Sequence, residues 1–306
     1  MNRRVIITGG LGFIGQNIAR QFKDKNYNVI AIGHNKVSEQ ELSRIGIDEW
    51  YEGDINLNIL NTISLKPDLI IHCAGGSTVG GSLNNPYLDF HKTVNSTLDV
   101  LEYIRLFSPK TLLIYLSSAA VYGNKNDNMI NEEDDLNPVS PYGFHKLAAE
   151  NLCKSYASNF NVKVAIVRLF SIYGEGLKKQ LLWEASKKII ASENEVIFFG
   201  TGEETRDWLH VKDVARLIEH IANIQFQFIV LNGGYGERIP VKQVLFTLLN
   251  ELERNDLKII FNNQNKPGDP MYYYANINKI KELGWVPEID LSIGLSNYVK
   301  WFKNTI

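Results

Sequence analysis

The chain has 306 residues, of which 44% are hydrophobic and 22% are charged, and its formal net charge is −2. These values are typical of a globular protein and argue against a disordered chain. Because the net charge is close to zero, the composition does not indicate binding to nucleic acid or to an anionic membrane surface. No apolar stretch approaches the length of a membrane span. The two cysteines, Cys73 and Cys153, fit a reducing compartment. We therefore expect a cytoplasmic protein with no disulfide and no metal site, which binds neither nucleic acid nor membrane.

Apolar runs alternate with helix-like segments through the first half of the chain. Their unbroken apolar character predicts strands that are buried on both faces, as in a parallel sheet. The alternation of strand and helix predicts an α/β fold with a doubly wound parallel sheet. The predicted strands are 4–8, 28–33, 68–74, 111–117 and 162–170, and the main predicted helices are 12–25, 86–107 and 141–159.

The pattern becomes irregular after about residue 170. Two shorter strands are predicted, "EVIFFG" and "FIVLNGG", of which the second could return to the edge of the main sheet. We predict a dinucleotide-binding domain over 1–170, with a return to it around 207–234, and a smaller mixed α/β domain over 171–306. Helices are predicted in this half near 179–191, 211–223, 241–253 and 291–303.

The segment "VIITGGLGFIG" places glycines directly after the first predicted strand. Gly9, Gly12 and Gly15 are spaced three apart, and a helix is predicted to begin near Gly12. Glycines in such a strand-turn-helix let backbone amides approach a pyrophosphate, and the helix N-terminus favours the negative charge. The alternative is a tight turn that binds nothing.

A second pattern consists of "LSSAAVYG" followed by "SPYGFHKLAAE". Tyr142 and Lys146 are four residues apart on a predicted helix, so their side chains share one face. A lysine cation favours the phenolate and would lower the pKa of the tyrosine, which could then exchange a proton near neutral pH. Ser118, at the end of a strand, could bind the same substrate oxygen. A surface tyrosine–lysine pair is the alternative.

With these motifs the chain resembles the extended short-chain dehydrogenases/reductases, which have a Rossmann fold and act on nucleotide sugars. The group includes UDP-glucose 4-epimerases, dehydratases and 4-keto reductases. The resemblance covers nearly the whole chain, because "RLFSIYGEG", "GEETRDWLHVKDVA" and "KPGDP" also match motifs of the family.

The resemblance implies a role for particular residues. The implied catalytic residues are Ser118, Tyr142 and Lys146. Cofactor binding is implied for Gly9, Gly12, Phe13, Ile14, Gly15, His34, Asn35, Lys36, Asp54, Ile55, Cys73, Ala74 and Gly75, together with Tyr142 and Lys146, with Asp54 holding the adenine. Binding of the nucleotide-sugar substrate is implied for Ser118, Ser171, Arg206 and Asp269. The resemblance also implies a homodimer through the helices near 86–107 and 141–159.

Three positions depart from the family pattern. Thr93 and Ser171 stand where the family has asparagines, and Lys266 stands where arginine is common. A lysine is a point charge, whereas an arginine offers a planar fork of donors, so we expect Arg206 to be the main ligand of the diphosphate.

The cofactor and the reaction are predicted from the residues at and just beyond the ends of the second and fifth strands. Gly33 stands where NAD-binding proteins usually have an acid, and Lys36 lies nearby, so we expect NADP(H) to bind better than NAD(H). Ala119 and Ala120 occupy the positions where dehydratases carry an Asp-Glu pair, which makes dehydration improbable. The sequence therefore predicts a 4-keto(-6-deoxy) sugar reductase. The alternatives are a 4-epimerase with tightly bound NAD, to which "HCAGGSTVGGS" is most similar, and a non-catalytic cofactor-binding protein of the same fold.

Overall fold

The computed structural model describes residues 3–63, 66–125, 128–264 and 271–306. The chain divides into two compact units, each with its own apolar core. The first unit contains the described residues of Met1–Gly123, Glu132–Leu169 and Val214–Asn232, and the second contains those of Asn124–Asn131, Phe170–Asp213 and Gly233–Ile306.

The strands and helices of the described residues are numbered here in chain order. The strands are β1 (Arg4–Thr8), β2 (Asn28–Gly33), β3 (Glu49–Glu52), β4 (Leu69–His72), β5 (Leu112–Ser118), β6 (Lys163–Leu169), β7 (Ser171–Tyr173), β8 (Glu195–Phe198), β9 (Thr205–Arg206), β10 (Trp208–His210), β11 (Phe228–Gly233), β12 (Ile239–Pro240) and β13 (Lys258–Phe261). The helices are α1 (Phe13–Asp24), α2 (Glu39–Ile45), α3 (Leu57–Thr62), α4 (Val79–Asn84), α5 (Pro86–Phe90), α6 (Ser96–Phe107), α7 (Pro141–Phe160), α8 (Gln180–Ala191), α9 (Val211–Ile221), α10 (Val241–Glu251), α11 (Asn278–Glu282) and α12 (Leu291–Lys303), with a π-helical turn at His91–Asn95 and a 3₁₀ turn at Ala119–Tyr122.

A seven-stranded parallel sheet forms the centre of the first unit, in the order β11-β6-β5-β4-β1-β2-β3. The five strands predicted in the first half are confirmed, and β11 lies at the edge beside β6, where it was expected. The fold class is therefore confirmed as a doubly wound α/β sheet. Strand β3 was not predicted, because "EWYE" is a short edge strand of mixed polarity and lacks the continuous apolar run of the central strands.

The strand order decides which loops meet. After β3 the chain crosses to the other side of β1 and pairs β4 with it, with Thr8 opposite His72. Strand β5 pairs with β4 and extends further, to Ser118. The carboxyl ends of β1, β4 and β5 therefore lie side by side at the point where the strand order reverses, which is where open α/β sheets bind ligands.

Helix α7 has clear start and stop signals. The hydroxyl of Ser140 caps it by accepting a hydrogen bond from Gly143 N at 3.2 Å, Pro141 is the first helical residue, and Asn161 ends it with a φ of 57°. These boundaries place Tyr142 in the first turn and Lys146 one turn later.

The second unit contains three two-stranded sheets, β7 with β10, β9 with β12 and β8 with β13. Its core is formed mainly by α8, α10 and α12, whose apolar residues include Leu182, Ile189, Leu245 and Phe302. The four helices predicted in this half are confirmed, and each of their boundaries lies within two residues of the prediction.

Candidate active site

The glycine-rich turn joins β1 to α1 with backbone packed against backbone. Gly9 has a φ of +67°, a conformation that favours glycine. A Cβ on Gly15 would lie 2.4 Å from the carbonyl oxygen of Gly9, so no side chain fits there. Gly9 also lies against the segment after β4, since a Cβ on it would be 3.1 Å from Ala74 N.

Helix α1 presents its first amides to this turn. Gln16 N donates the first hydrogen bond of the helix, to Gly12 O at 2.9 Å, so the amides of Phe13, Ile14 and Gly15 precede the bonded ladder. Gly12 is the N-cap and carries no side chain that could accept their hydrogen bonds. Amides that precede the bonded ladder, together with the positive end of the helix dipole, lie at a turn in which three of the four residues are glycines; this arrangement fits the pyrophosphate of a dinucleotide.

The residues expected at the adenosine end lie after β2 and β3. His34, Asn35 and Lys36 are exposed, and Asn35 has a φ of +90°. Asp54 is also exposed, and its Oδ1 lies 3.0 Å from His34 Nε2. Ile55 packs on the apolar core of the unit. A carboxylate thus lies beside the end of β2, although it is supplied by the loop after β3.

A buried chain of hydrogen bonds ties β1, β4 and α6 together. Thr8 Oγ1 accepts a hydrogen bond from Ala74 N at 3.1 Å and lies 2.7 Å from His72 Nδ1, whose Nε2 is 3.2 Å from Ser96 Oγ. Burial, and to a lesser degree the charge of Lys146, lower the pKa of His72 to about 3. His72 is therefore a neutral, packed residue, and it fixes the start of the segment Cys73–Gly75.

The segment after β4 leads to the predicted catalytic lysine. Gly75 has a φ of +144°, and a Cβ on it would lie 3.3 Å from Thr93 Oγ1 and 3.4 Å from Lys146 Nζ. Thr93 Oγ1 also accepts a hydrogen bond from Gly76 N at 2.8 Å. The threonine that stands where the family has an asparagine therefore holds the segment after β4 through its hydroxyl, from a π-helical turn of the kind that often marks functional sites.

Gly75→Ala is expected to lower turnover by roughly tenfold or more, because the added methyl strains the backbone at this positive φ, crowds Thr93 Oγ1 and contacts Lys146 Nζ. Gly80→Ala is the matched control, since a Cβ on Gly80 has no neighbour within 4 Å. Turnover and melting temperature of both variants should be compared with those of the unmodified chain. If both variants turn over equally fast, the contact with Lys146 is unimportant.

Ser118, Tyr142 and Lys146 meet at the carboxyl end of β5. Ser118 Oγ accepts a hydrogen bond from Ala120 N at 3.2 Å, and the Ser118 hydroxyl acts on the phenol of Tyr142 by lowering its pKa. Lys146 Nζ donates to Leu116 O at 2.9 Å and lies 5.9 Å from the centre of the Tyr142 ring. The three residues singled out from the sequence are thus neighbours, at the edge of the sheet that also carries the glycine turn.

The expected effect of the lysine on the tyrosine is not found. Burial raises the pKa of Tyr142 above its usual value, the hydrogen bond with Ser118 opposes this, and the charge of Asp89 adds to it. Burial also lowers the pKa of Lys146 to about 8, although Asp89 and Glu150 favour its cation. The prediction of a lowered tyrosine pKa was wrong for the chain by itself, because desolvation of the phenol outweighs the nearby charge.

A buried ion pair beneath the site escaped the sequence analysis. Arg168 forms a bidentate ion pair with Glu150, with Nη2 donating to Oε2 at 2.8 Å and Nε donating to Oε1 at 3.0 Å. Ser117 Oγ also donates to Glu150 Oε1, at 2.5 Å. Arg168 Nη1 donates to the hydroxyl of Tyr122 at 2.9 Å, and that hydroxyl donates to Asn232 Oδ1 at 2.7 Å. The available signal was the position of Glu150, one helical turn after Lys146.

The network fastens the elements that carry the site. Ser117 directly precedes Ser118, and Glu150 shares a helix with Tyr142 and Lys146, so the ion pair joins β5 to α7 and to β6. It therefore positions groups that the sequence placed on separate elements.

Ser171 and Arg206 belong to the second unit. Ser171 N donates to Asp207 O at 3.0 Å, and Arg206 Nη1 donates to Thr205 O at 2.9 Å. Asp207 is buried and accepts hydrogen bonds from Tyr235 N at 2.5 Å and Gly236 N at 2.9 Å. Burial raises the pKa of Asp207 to about 6, against these amide bonds. Asp207 thus fixes the loop after β11 beside Arg206, a role that sequence reasoning missed.

Two predicted positions, Asp269 and Lys266, lie outside the described residues. Among the residues that the structure does describe, no cluster of three or more histidines, cysteines or acids could hold a metal ion. No helix in the described part of the chain has the length and apolar character needed to cross a membrane.

The fold and the site define a dinucleotide-dependent enzyme, with a glycine-rich turn after β1 and a Ser-Tyr-Lys set after β5. Residues 5–227 match the model of the NAD dependent epimerase/dehydratase family, and the chain belongs to this family. It is 30% identical to a putative UDP-glucose 4-epimerase of Methanocaldococcus jannaschii, over 98% of both chains.

Two further proteins resemble the chain over most of its length. A UDP-glucuronate 4-epimerase of Thermodesulfobacterium geofontis is 28% identical over 98% of this chain and 96% of the relative. The solved structure of MoeE5 in complex with UDP-glucose and NAD is 26% identical over 99% of both chains, with a TM-score of 0.83.

Proposed function

We propose that the protein is a nucleotide-sugar 4-epimerase that retains NAD, with a UDP-linked hexose as its substrate. The geometric observation that carries this proposal is the meeting of Ser118, Tyr142 and Lys146 next to Gly75 and the glycine-rich turn. The relatives named as 4-epimerases, which match over nearly the full length of the chain, favour this reaction over 4-keto reduction. Dehydration stays improbable, because Ala119 and Ala120 cannot exchange a proton.

The same comparisons favour NAD, so the expectation of NADP is not supported. The sequence argument considered only the end of β2, where Gly33 stands in place of an acid. The carboxylate of Asp54, 3.0 Å from His34, supports NAD because a negative charge there would repel a 2′-phosphate. The strand order brings this acid to the end of β2 from a different loop.

The proposed roles of the two units rest on their residues. The first unit would hold the dinucleotide, with the amides of Phe13, Ile14 and Gly15 on the pyrophosphate. The second unit would bind the nucleotide sugar, with Arg206 on the diphosphate because a guanidinium matches phosphate oxygens.

The proposed reaction needs one proton carrier that works in both directions. NAD, when bound, would supply a reversible hydride acceptor for the sugar carbon. Tyr142 takes the proton of the sugar C4 hydroxyl as a phenolate and gives it back as a phenol, while Ser118 binds the same oxygen. Lys146 is cationic below about pH 8 and lies 5.9 Å from the centre of the Tyr142 ring, so its charge would offset part of the rise that burial gives the pKa of Tyr142.

The test is to purify the protein, release its ligands with denaturant and identify them by mass spectrometry. The protein is then incubated with UDP-glucose or UDP-glucuronate and no added cofactor. We expect retained NAD and interconversion of the C4 epimers. Stoichiometric oxidation of added NADPH by a 4-keto-6-deoxy sugar, without epimerisation, would establish the reductase instead.

A homodimer is also proposed, as the resemblance implied. Large apolar side chains lie exposed on α5, α6 and α7, which is unusual for a monomer surface. Tyr87 is 75% exposed and Phe144 56% exposed, and Phe90, Leu98, Leu106, Phe107 and Phe160 are exposed as well. Light scattering should give about twice the 34.8 kDa chain mass, and Phe144→Glu should lower it.

A further inference from the structure

A buried acid on α5 contacts a histidine on α7, the helix that carries Tyr142 and Lys146. Asp89, on α5, is 7% exposed, and its Oδ2 lies 2.6 Å from Nδ1 of His145. His145 lies on α7 directly before Lys146 and three residues after Tyr142. Its ring makes an edge-to-face contact with the ring of Phe90, with the two ring centres 5.4 Å apart. The pair thus joins α5 to the turn of α7 that carries the proposed proton carrier.

The other carboxylate oxygen of Asp89 lies against the segment after β4. A Cβ on Gly76 would be 1.8 Å from Asp89 Oδ1, and a Cβ on Gly75 would be 3.4 Å from Lys146 Nζ. Adjacent glycines therefore let the carboxylate and the ammonium group approach the same short segment. A larger residue at Gly76 would push Asp89 away from its place.

The groups around Lys146 leave few sources of compensating negative charge. Among the described residues, the titratable groups that interact with Lys146 or adjoin it are Tyr142, His145 and Glu150 on α7, Asp89 on α5, His72 and Cys73 at the end of β4, and Tyr115 on β5. Only Asp89 and Glu150 are carboxylates. Glu150 is paired with Arg168, which is always charged, whereas the partner of Asp89 is a histidine, which can be neutral.

We propose that Asp89, fixed by His145, is a positioning residue that holds Lys146 in its cationic form and so sets the pH range in which Tyr142 and Lys146 work. The effect of Asp89 on the charge of Lys146 is inferred from the geometry of the protein without ligands. Its consequence for turnover rests on the proposed function. Asp89 raises the pKa of Lys146 and that of Tyr142, so removing its charge lowers both.

The test follows Lys146 directly in the full-length protein, without substrate. Lysine side-chain carbons are titrated by NMR, and the Lys146 signal is assigned from its loss in Lys146→Ala. Asp89→Asn is expected to lower the midpoint of Lys146 by roughly half to one pH unit, the scale of one neighbouring charge. Asp89→Glu should restore most of the shift, because it returns the charge.

Asp213→Asn is the matched control, because Asp213 is another buried acid that accepts amide hydrogen bonds, from Glu288 N and Ile289 N. It is expected to lower the melting temperature and leave the midpoint of Lys146 unchanged. If Asp89→Asn does not fold, the double variant Asp89→Asn with His145→Asn keeps a neutral hydrogen-bonded pair and should show the same shift.

The two proposals fail in different ways. A Lys146 midpoint that stays the same in folded Asp89→Asn overturns the inference, whatever the activity. If the midpoint moves, the alkaline limb of the pH profile of kcat/KM for epimerisation should move to lower pH by a similar amount. If the midpoint moves but the unmodified protein epimerises no UDP sugar, the proposed function fails and the role of Asp89 towards Lys146 stands.

Discussion

Tyr142→Phe is expected to lower turnover by about two or more orders of magnitude, the usual cost of losing a positioned acid/base. The ring stays in place, so the packing of α7 is unchanged, but the hydroxyl that we propose exchanges the proton with the sugar oxygen is gone. Retained NAD should be unaffected, because the phenol oxygen is a minor part of any contact with the cofactor. The measurement combines turnover with the amount of NAD released on unfolding.

The control for this variant is Tyr156→Phe, in the same helix. Tyr156 also loses a hydrogen-bonded hydroxyl, the one that donates to Glu102, but it lies fourteen residues further along, near the end of α7. It is expected to keep turnover within a few-fold of the unmodified protein. Near-normal turnover of Tyr142→Phe would remove Tyr142 as the proton carrier and leave the choice of reaction open.

Arg168→Met is expected to lower the free energy of unfolding by about 3–5 kcal/mol, because it leaves the buried carboxylate of Glu150 without its counter-ion. The hydroxyl of Tyr122 and the carbonyl oxygen of Glu132, which accepts from Arg168 Nη1 at 2.8 Å, lose a donor as well. Urea denaturation measures the change. The double variant Arg168→Met with Glu150→Met should recover part of the loss, since no unpaired charge remains.

Arg105 provides the comparison for this second variant. It forms a similar two-pronged pair with Glu102 on α6, but its side chain is 34% exposed, against 5% for Arg168. Arg105→Met should therefore lower the free energy of unfolding far less than Arg168→Met, because water and salt screen an exposed pair. Equal losses for the two arginines would mean that burial of the Arg168–Glu150 pair has no special weight.

Much of the fold could be predicted because its signals are local. The central strands are continuous apolar runs, and α7 has a serine cap, a proline at its first position and a left-handed asparagine at its end. That Tyr142 and Lys146 share one face of α7 follows from the helical period alone, because they are four residues apart. Strand β8 was predicted from its apolar run, but β3 and the other short strands of the second unit lack such signals, because they are held by neighbours distant in sequence.

The proposal of NAD in place of NADP rests on a contact that reading one loop at a time does not give. The sequence argument looked for an acid at the end of β2 and found Gly33. The structure brings Asp54 from the loop after β3 to within 3.0 Å of His34, because β3 lies next to β2 in the sheet. The spacing between the two positions, about twenty residues, gives no indication of that contact.

The sequence by itself determined the doubly wound sheet, the glycine-rich turn and the family's Ser-Tyr-Lys set, since each depends on residues within one or two adjoining elements. Only the tertiary structure decided the pKa shifts of the tyrosine and the lysine in that set. Burial raises the pKa of Tyr142 and lowers that of Lys146, and the groups that modify these shifts, Asp89, Ser118 and Glu150, lie on three different elements. Desolvation and electrostatic interaction act through space, so they depend on the packing of the folded chain and not on spacing along it.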